Sequence, residues 1–126
     1  MKRPWVFNLV FYLYFLCVFT LHAQSNIHYY FKTLDIKDGL SQNTVNTILQ
    51  DKQGFMWFGT KDGLNRFDGL SFRIFKKEET DLGNNFITAL YEDKAGKIWV
   101  GTDAGAFIYD PVLETFTRFD VVSNTG

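Results

Sequence analysis

Cysteine is almost missing from this chain: Cys17 stands alone among 126 residues. A disulfide framework and any multi-cysteine metal site are thereby excluded. Histidine is equally scarce, with only His22 and His28, which leaves little material for imidazole chemistry. Neither sign of charge dominates, with 13 Lys+Arg against 14 Asp+Glu. The chain therefore has neither the basic stripe that nucleic acid requires nor an acidic tail. Beyond residue 25 no apolar run is long enough to cross a bilayer. What the sequence does have is aromatic residues: 14 Phe, 6 Tyr and 3 Trp. With 46% hydrophobic and 21% charged residues, this composition describes a packed, strand-rich chain of one small domain at most, not a disordered one.

The first segment reads as an address. Lys2 and Arg3 precede an apolar stretch over residues 5–21, followed by small residues. That is the layout of a secretory signal, with cleavage expected after Ala23 and Ser25 as the alternative end. The stretch falls short of the ~20 residues a membrane span needs, so a cleaved signal is preferred to an uncleaved anchor. A lipoprotein cut before Cys17 is disfavoured, because Leu16 is not a small residue. Cleavage would remove the one thiol, which suits an oxidising compartment. The expected location is the periplasm, with membrane contact only through the signal segment or downstream parts.

Internal repetition is the strongest signal. Asp51-Lys-Gln-Gly54-Phe-Met-Trp57-Phe-Gly59-Thr60 recurs as Asp93-Lys-Ala-Gly96-Lys-Ile-Trp99-Val-Gly101-Thr102, an offset of 42. The offset continues from Gly63 to Gly105 and from Asp68 to Asp110, and nine of 26 positions between 43–68 and 85–110 are identical. Each copy reads as four short strands: 45–50, 55–60, 64–67 and 72–76, then 87–92, 97–102, 106–109 and 116–119. Asp-x-x-Gly forms the first turn, with Gly at the position that tolerates positive φ. Asp68-Gly69 is a hairpin signal, and its counterpart is two residues longer and carries Pro111. Apolar residues on both strand faces predict burial on both sides. A unit of about 40 residues with four antiparallel strands is the sequence form of a propeller blade. No sustained 3.6-residue period supports a helical solenoid. Gly59 and Gly101, inside strands, predict close approach by a neighbouring sheet, and Trp57 and Trp99 would fill the wedge between sheets.

The predicted fold is thus all-β: an incomplete propeller of two blades plus one N-terminal outer strand at residues 29–36. The expected boundaries are signal peptide 1–23, N-terminal strand and lead-in loop 24–43, first blade 44–82 and second blade 83–126.

These residues resemble the two-component regulator propeller repeat, whose pattern runs roughly Asp-x-x-Gly-x-x-Trp-x-Gly-Thr-x-x-Gly-Leu, then an aromatic residue and Asp. Asp51, Gly54, Trp57, Gly59, Thr60, Gly63, Leu64, Phe67 and Asp68 match throughout. The second copy, with Asp93, Gly96, Trp99, Gly101, Thr102, Gly105 and Asp110, departs only at Ala106. The lead-in Phe31-Lys-Thr-Leu and Asp38-Gly-Leu-Ser-Gln-Asn is similar to the start of the periplasmic sensor half of hybrid two-component histidine kinases. The resemblance implies a ring of many blades that senses oligosaccharides. The implied partners are the remaining blades of a longer chain and an oligosaccharide ligand, with no cofactor.

Trp57 and Trp99 could stack on sugar rings, but a ligand contact is needed once and a packing contact in every blade. Asp51 and Asp93 each offer one carboxylate where a calcium loop alternates several. Glu92 with Asp93, or Asp62 with Asp68, could form an acid/base pair, yet such pairs are common on solvated strand ends. His28 reads as a surface or strand residue, and 76–79 as a solvated mixed-charge loop. The expected role is a binding module without catalysis. The rivals are a piece of a secreted propeller enzyme acting on polysaccharide, and a small secreted interaction protein that assembles its own ring.

Overall fold

A computed structural model describes residues 3–19 and 27–121. The chain forms two units, residues 1–32 and 33–126. In the first, α1 (Pro4–Phe19) is apolar but for Asn8 and the tyrosine hydroxyls. Among the described residues no helix is long and apolar enough to cross a membrane. The expected cleavage point at Ala23 lies outside the described residues.

The second unit holds eight strands: β1 (Val45–Gln50), β2 (Met56–Thr60), β3 (Gly63–Phe67), β4 (Phe72–Phe75), β5 (Ile87–Glu92), β6 (Ile98–Thr102), β7 (Gly105–Asp110) and β8 (Thr115–Phe119). They pair as two four-stranded antiparallel sheets in chain order. All eight lie where the 42-residue repeat placed them, within one or two residues at each end. The registers are superimposable: Trp57 pairs with Leu49 and Arg66, and Trp99 with Tyr91 and Ile108. Even the irregularities repeat, since each first strand carries a bulge two residues into its pairing, between Val45 and Thr47 and between Ile87 and Ala89.

Two expectations are corrected. Residues 29–35 form no strand; they run as exposed coil to a short 3-10 helix at Ile36–Asp38. Neither sheet pairs with this segment, and a strand needs a partner for its backbone groups. A reciprocal capping box ends it: Asp35 Oδ1 accepts from Lys37 N at 2.7 Å, and Asp38 Oδ2 accepts from Asp35 N at 3.0 Å. Gly39 closes the turn at φ 107. Burial on both faces holds for the middle strands and fails for the first and last. β1 alternates half-buried with exposed, and β4 and β8 each bury a single residue.

The core is the wedge between the sheets. Trp57, Leu64 and Phe75 of the first meet Ile87, Ile98, Val100, Phe107, Tyr109 and Phe116 of the second. Burying each large apolar side chain is worth roughly 1.5–3 kcal/mol.

Candidate functional site

The Asp-x-x-Gly turn sets the geometry of each wedge. Asp51 Oδ1 accepts from Gln53 N at 3.0 Å and Phe55 N at 2.9 Å, and Oδ2 accepts from Trp57 Nε1 at 2.7 Å. Asp93 repeats the set with Ala95 N at 2.8 Å, Lys97 N at 3.0 Å and Trp99 Nε1 at 3.0 Å. One carboxylate therefore fixes both a turn and an indole six residues away. Gly54 and Gly96 take positive φ, 93 and 81. The indole N–H of Trp99, followed by the amide of Lys97, holds the Asp93 carboxyl below its ordinary range.

The far end of each middle hairpin is held by a threonine. Thr60 Oγ1 donates to Gly63 O at 3.0 Å and accepts from Asp62 N at 3.0 Å. Thr102 does the same with Gly105 O at 2.8 Å and Ala104 N at 3.1 Å. Asp68 accepts from Leu70 N and Ser71 N, both at 2.8 Å, and Asp110 from Val112 N at 2.9 Å and Leu113 N at 3.2 Å. Those amides lower both carboxyls.

The two tryptophans share a place in their sheets but not an environment. Trp57 is 1% exposed, stacked on Phe75 at 5.8 Å and edge-on to Tyr109 at 5.3 Å. Trp99 is half-buried and packs on Phe119 at 4.9 Å. Gly59 sits under Ile87: a Cβ there would stand 2.6 Å from Ile87 Cγ2. Asn46 Nδ2 donates across the wedge to Ile87 O at 2.9 Å, and Arg73 Nη1 to Glu114 Oε1 at 2.6 Å.

The carboxylates weighed for catalysis are otherwise engaged. Asp62 pairs with Lys76 at 2.8 Å, and Glu92 Oε2 accepts from Lys52 N at 3.0 Å. A groove of about 200 Å³ runs between the first turns of the two sheets, lined in part by Asp51, Lys52, Glu92, Lys94 and Pro111. Among the described residues no three His, Cys, Asp or Glu groups gather as metal ligands.

Sequence reasoning missed Asn65. It is fully buried, accepts from Ser41 N at 2.9 Å and donates to Ser41 Oγ at 2.8 Å. It welds the lead-in segment to the first sheet. Its one signal was a break in the repeat, since Phe107 stands at the equivalent place.

The family described as two component regulator propeller matches residues 39–62 and 81–104. Each sheet thus carries one match to the two-component regulator propeller repeat. Each matched stretch spans a lead-in, the first strand, the Asp-x-x-Gly turn and the Trp strand of one sheet. The chain is 42% identical over 81 residues to histidine kinase P4 of Formosa agariphila, covering 64% of this chain and 6% of that protein. Two solved structures resemble it, both extracellular domains of hybrid two component systems from B. thetaiotaomicron. BT3049 has TM-score 0.64 and 38% identity, over 71% of this chain and 13% of that one. BT4673 has TM-score 0.59 and 26% identity, over 79% of this chain and 15% of that one. The chain thus spans a small part of each relative.

Proposed function

We propose that these two blades open a periplasmic ligand-sensing propeller of a two-component signalling protein, glycan-responsive when complete. The match of this wedge to extracellular domains of hybrid two component systems, at 38% and 26% identity, carries the reading. The apolar, basic-led start supports export. Blades that wedge through aromatic contacts make a rigid ring, and a ligand that prefers one arrangement of such a ring biases a switch downstream by its differential affinity. The remaining blades would come from a longer chain, the ligand would be an oligosaccharide, and these residues would perform no chemistry.

Two measurements test this. The full chain, expressed in a Gram-negative host and fractionated, should appear in the periplasm with its amino terminus after Ala23; retention in the cytoplasm overturns the assignment. The longer polypeptide carrying these blades should bind oligosaccharides by calorimetry and leave them intact. Cleavage of polysaccharide would replace the sensor by the enzyme reading.

A further inference from the structure

Every positive φ among the described residues belongs to a glycine except one, that of Glu114 at φ 54. Glu114 ends the hairpin loop between β7 and β8, where Asp110 Oδ1 accepts from Val112 N at 2.9 Å and Leu113 N at 3.2 Å. The corresponding hairpin of the first sheet has Gly69 at φ 100. A side chain in the left-handed region costs free energy that glycine avoids. Such a cost persists only where the surroundings hold the residue in place. Here the holder lies in the other sheet: Arg73 Nη1, on β4, donates to Glu114 Oε1 at 2.6 Å.

We propose that Glu114 is a strained latch. With Arg73 it closes the fourth-strand side of the wedge between the sheets, while bonds to backbone groups hinge the wedge on its first-strand side.

The two sides of the wedge are held differently. On the first-strand side, Asn46 Nδ2 donates to Ile87 O at 2.9 Å, Lys52 N to Glu92 Oε2 at 3.0 Å and Lys52 Nζ to Asp93 O at 3.0 Å. Each bond has a backbone group at one end, and Ile87 packs over Gly59, so this side keeps its spacing. On the fourth-strand side, the one hydrogen bond across the wedge among the described residues joins two half-exposed side chains, Arg73 and Glu114. Rings fill the space behind it: Phe75 lies 5.3 Å from Tyr109 and 5.6 Å from Phe116. Apolar burial draws the sheets together without direction, and the ion pair supplies the direction. The cations are placed in advance. Arg66 stands over Phe55 at 4.7 Å and Trp57 at 5.7 Å, and Arg73 over Phe75 at 4.9 Å. Arg73 first, then Arg66, hold the Glu114 carboxyl below its ordinary range. Arg66 and Arg73 pair across β3 and β4, and the second sheet has Ile108 and Thr117 at that pairing. The latch is therefore an addition to this wedge and not a requirement of the repeat. Turn strain and an exposed ion pair are comparable in size and opposite in sign. Loss of the pair frees the turn, and the population shifts toward a wedge that opens on this side. The inference concerns this wedge alone and does not rest on the sensing role.

The test follows Trp57, sealed in the wedge at 1% exposure. In the full chain carrying Trp5→Phe and Trp99→Phe, Trp57 is the single indole left of three. Acrylamide, an uncharged quencher, then reports how often the wedge opens. Glu114→Gln and Arg73→Met should each raise the quenching constant roughly twofold to fivefold, the population change that an exposed ion pair is worth. Both together should raise it no further than Arg73→Met alone, since they break one bond. Glu114→Gly should raise quenching as much as Glu114→Gln, yet keep or raise the midpoint of urea unfolding, because the turn relaxes. Asp62→Asn, which breaks the Lys76 pair within the first sheet, should leave Trp57 at the parental value. Unchanged quenching in Glu114→Gln or Glu114→Gly, additive effects of the two sites, or an equal rise in Asp62→Asn would each overturn the latch. A lowered midpoint in Glu114→Gly would show an unstrained turn and overturn it likewise. Should the tryptophan replacements unfold the chain, hydrogen exchange of the Trp57 indole N–H, held by Asp51 Oδ2 at 2.7 Å, gives the same comparison with all three tryptophans in place.

Discussion

Gly83 lies against the ring of Phe107 so closely that a Cβ on Gly83 would collide with Phe107 Cζ. The equivalent pair in the first blade is Ser41 with Asn65, joined by hydrogen bonds at 2.8 and 2.9 Å. The two blades therefore solve one junction between lead-in and sheet in two ways, a large ring under no side chain and a short polar pair. Gly83→Ala should cost about 1–3 kcal/mol through overpacking in urea unfolding. Pairing Gly83→Ser with Phe107→Asn should cost less than the two changes summed, because touching residues couple. Additive costs would show that the junctions are independent of their partners.

Trp57→Ala should cost about 3–5 kcal/mol, the range for emptying a buried aromatic site. Trp99→Ala should cost clearly less, since Trp99 is half-buried with Phe119 as its ring contact. Equal costs in denaturant titrations would contradict the unequal wedges.

Tyr109 is fully buried, yet among the described residues its hydroxyl has no hydrogen-bond partner, and burial raises its pKa. An unsatisfied buried hydroxyl is a net cost. Tyr109→Phe should therefore stabilise the chain by on the order of 1 kcal/mol. A loss of stability would reveal a partner for the oxygen.

Acid should unfold the blades from their turns. Asp68, Asp93 and Asp110 are all depressed in the folded chain, chiefly by donated N–H groups. A depressed carboxyl contributes stability that is full above its unfolded pKa, ~3.9, and is lost as pH falls toward the folded value. Stability measured from pH 7 downwards should hold until about pH 4 and then decline. Asp93→Asn should be less stable at neutral pH and show a shallower decline. An unchanged slope would remove Asp93 from the account.

Most of this architecture could be read from the sequence because the repeat reports each contact twice. Trp57 and Trp99, Gly59 and Gly101, and the two aspartate turns recur, and recurrence marks what every blade needs. What escaped was whatever the blades do differently. Asn65 and Phe107 break the repeat, and only three-dimensional packing shows that Ser41 and Gly83 change with them. The strand expected at 29–36 failed for another reason. Propensity in Tyr29, Tyr30 and Phe31 makes a strand only beside a partner, and neither described sheet pairs with this segment. The unequal burial of Trp57 and Trp99 was likewise hidden, since identical residues at identical offsets say nothing about how each face is packed.

The three tryptophans occupy three kinds of surroundings, and that makes the chain its own optical reporter. Trp57 sits sealed between sheets, Trp99 lies half open on an outer face, and Trp5 is 60% exposed on α1. Light absorbed by the sealed indole is re-emitted from an apolar setting, and that from Trp5 out of water. Parting of the two blades would redden the Trp57 component alone, while covering of the outer face would shift Trp99 toward the blue. Opening of the wedge and covering of the outer face would thus move its emission in opposite directions.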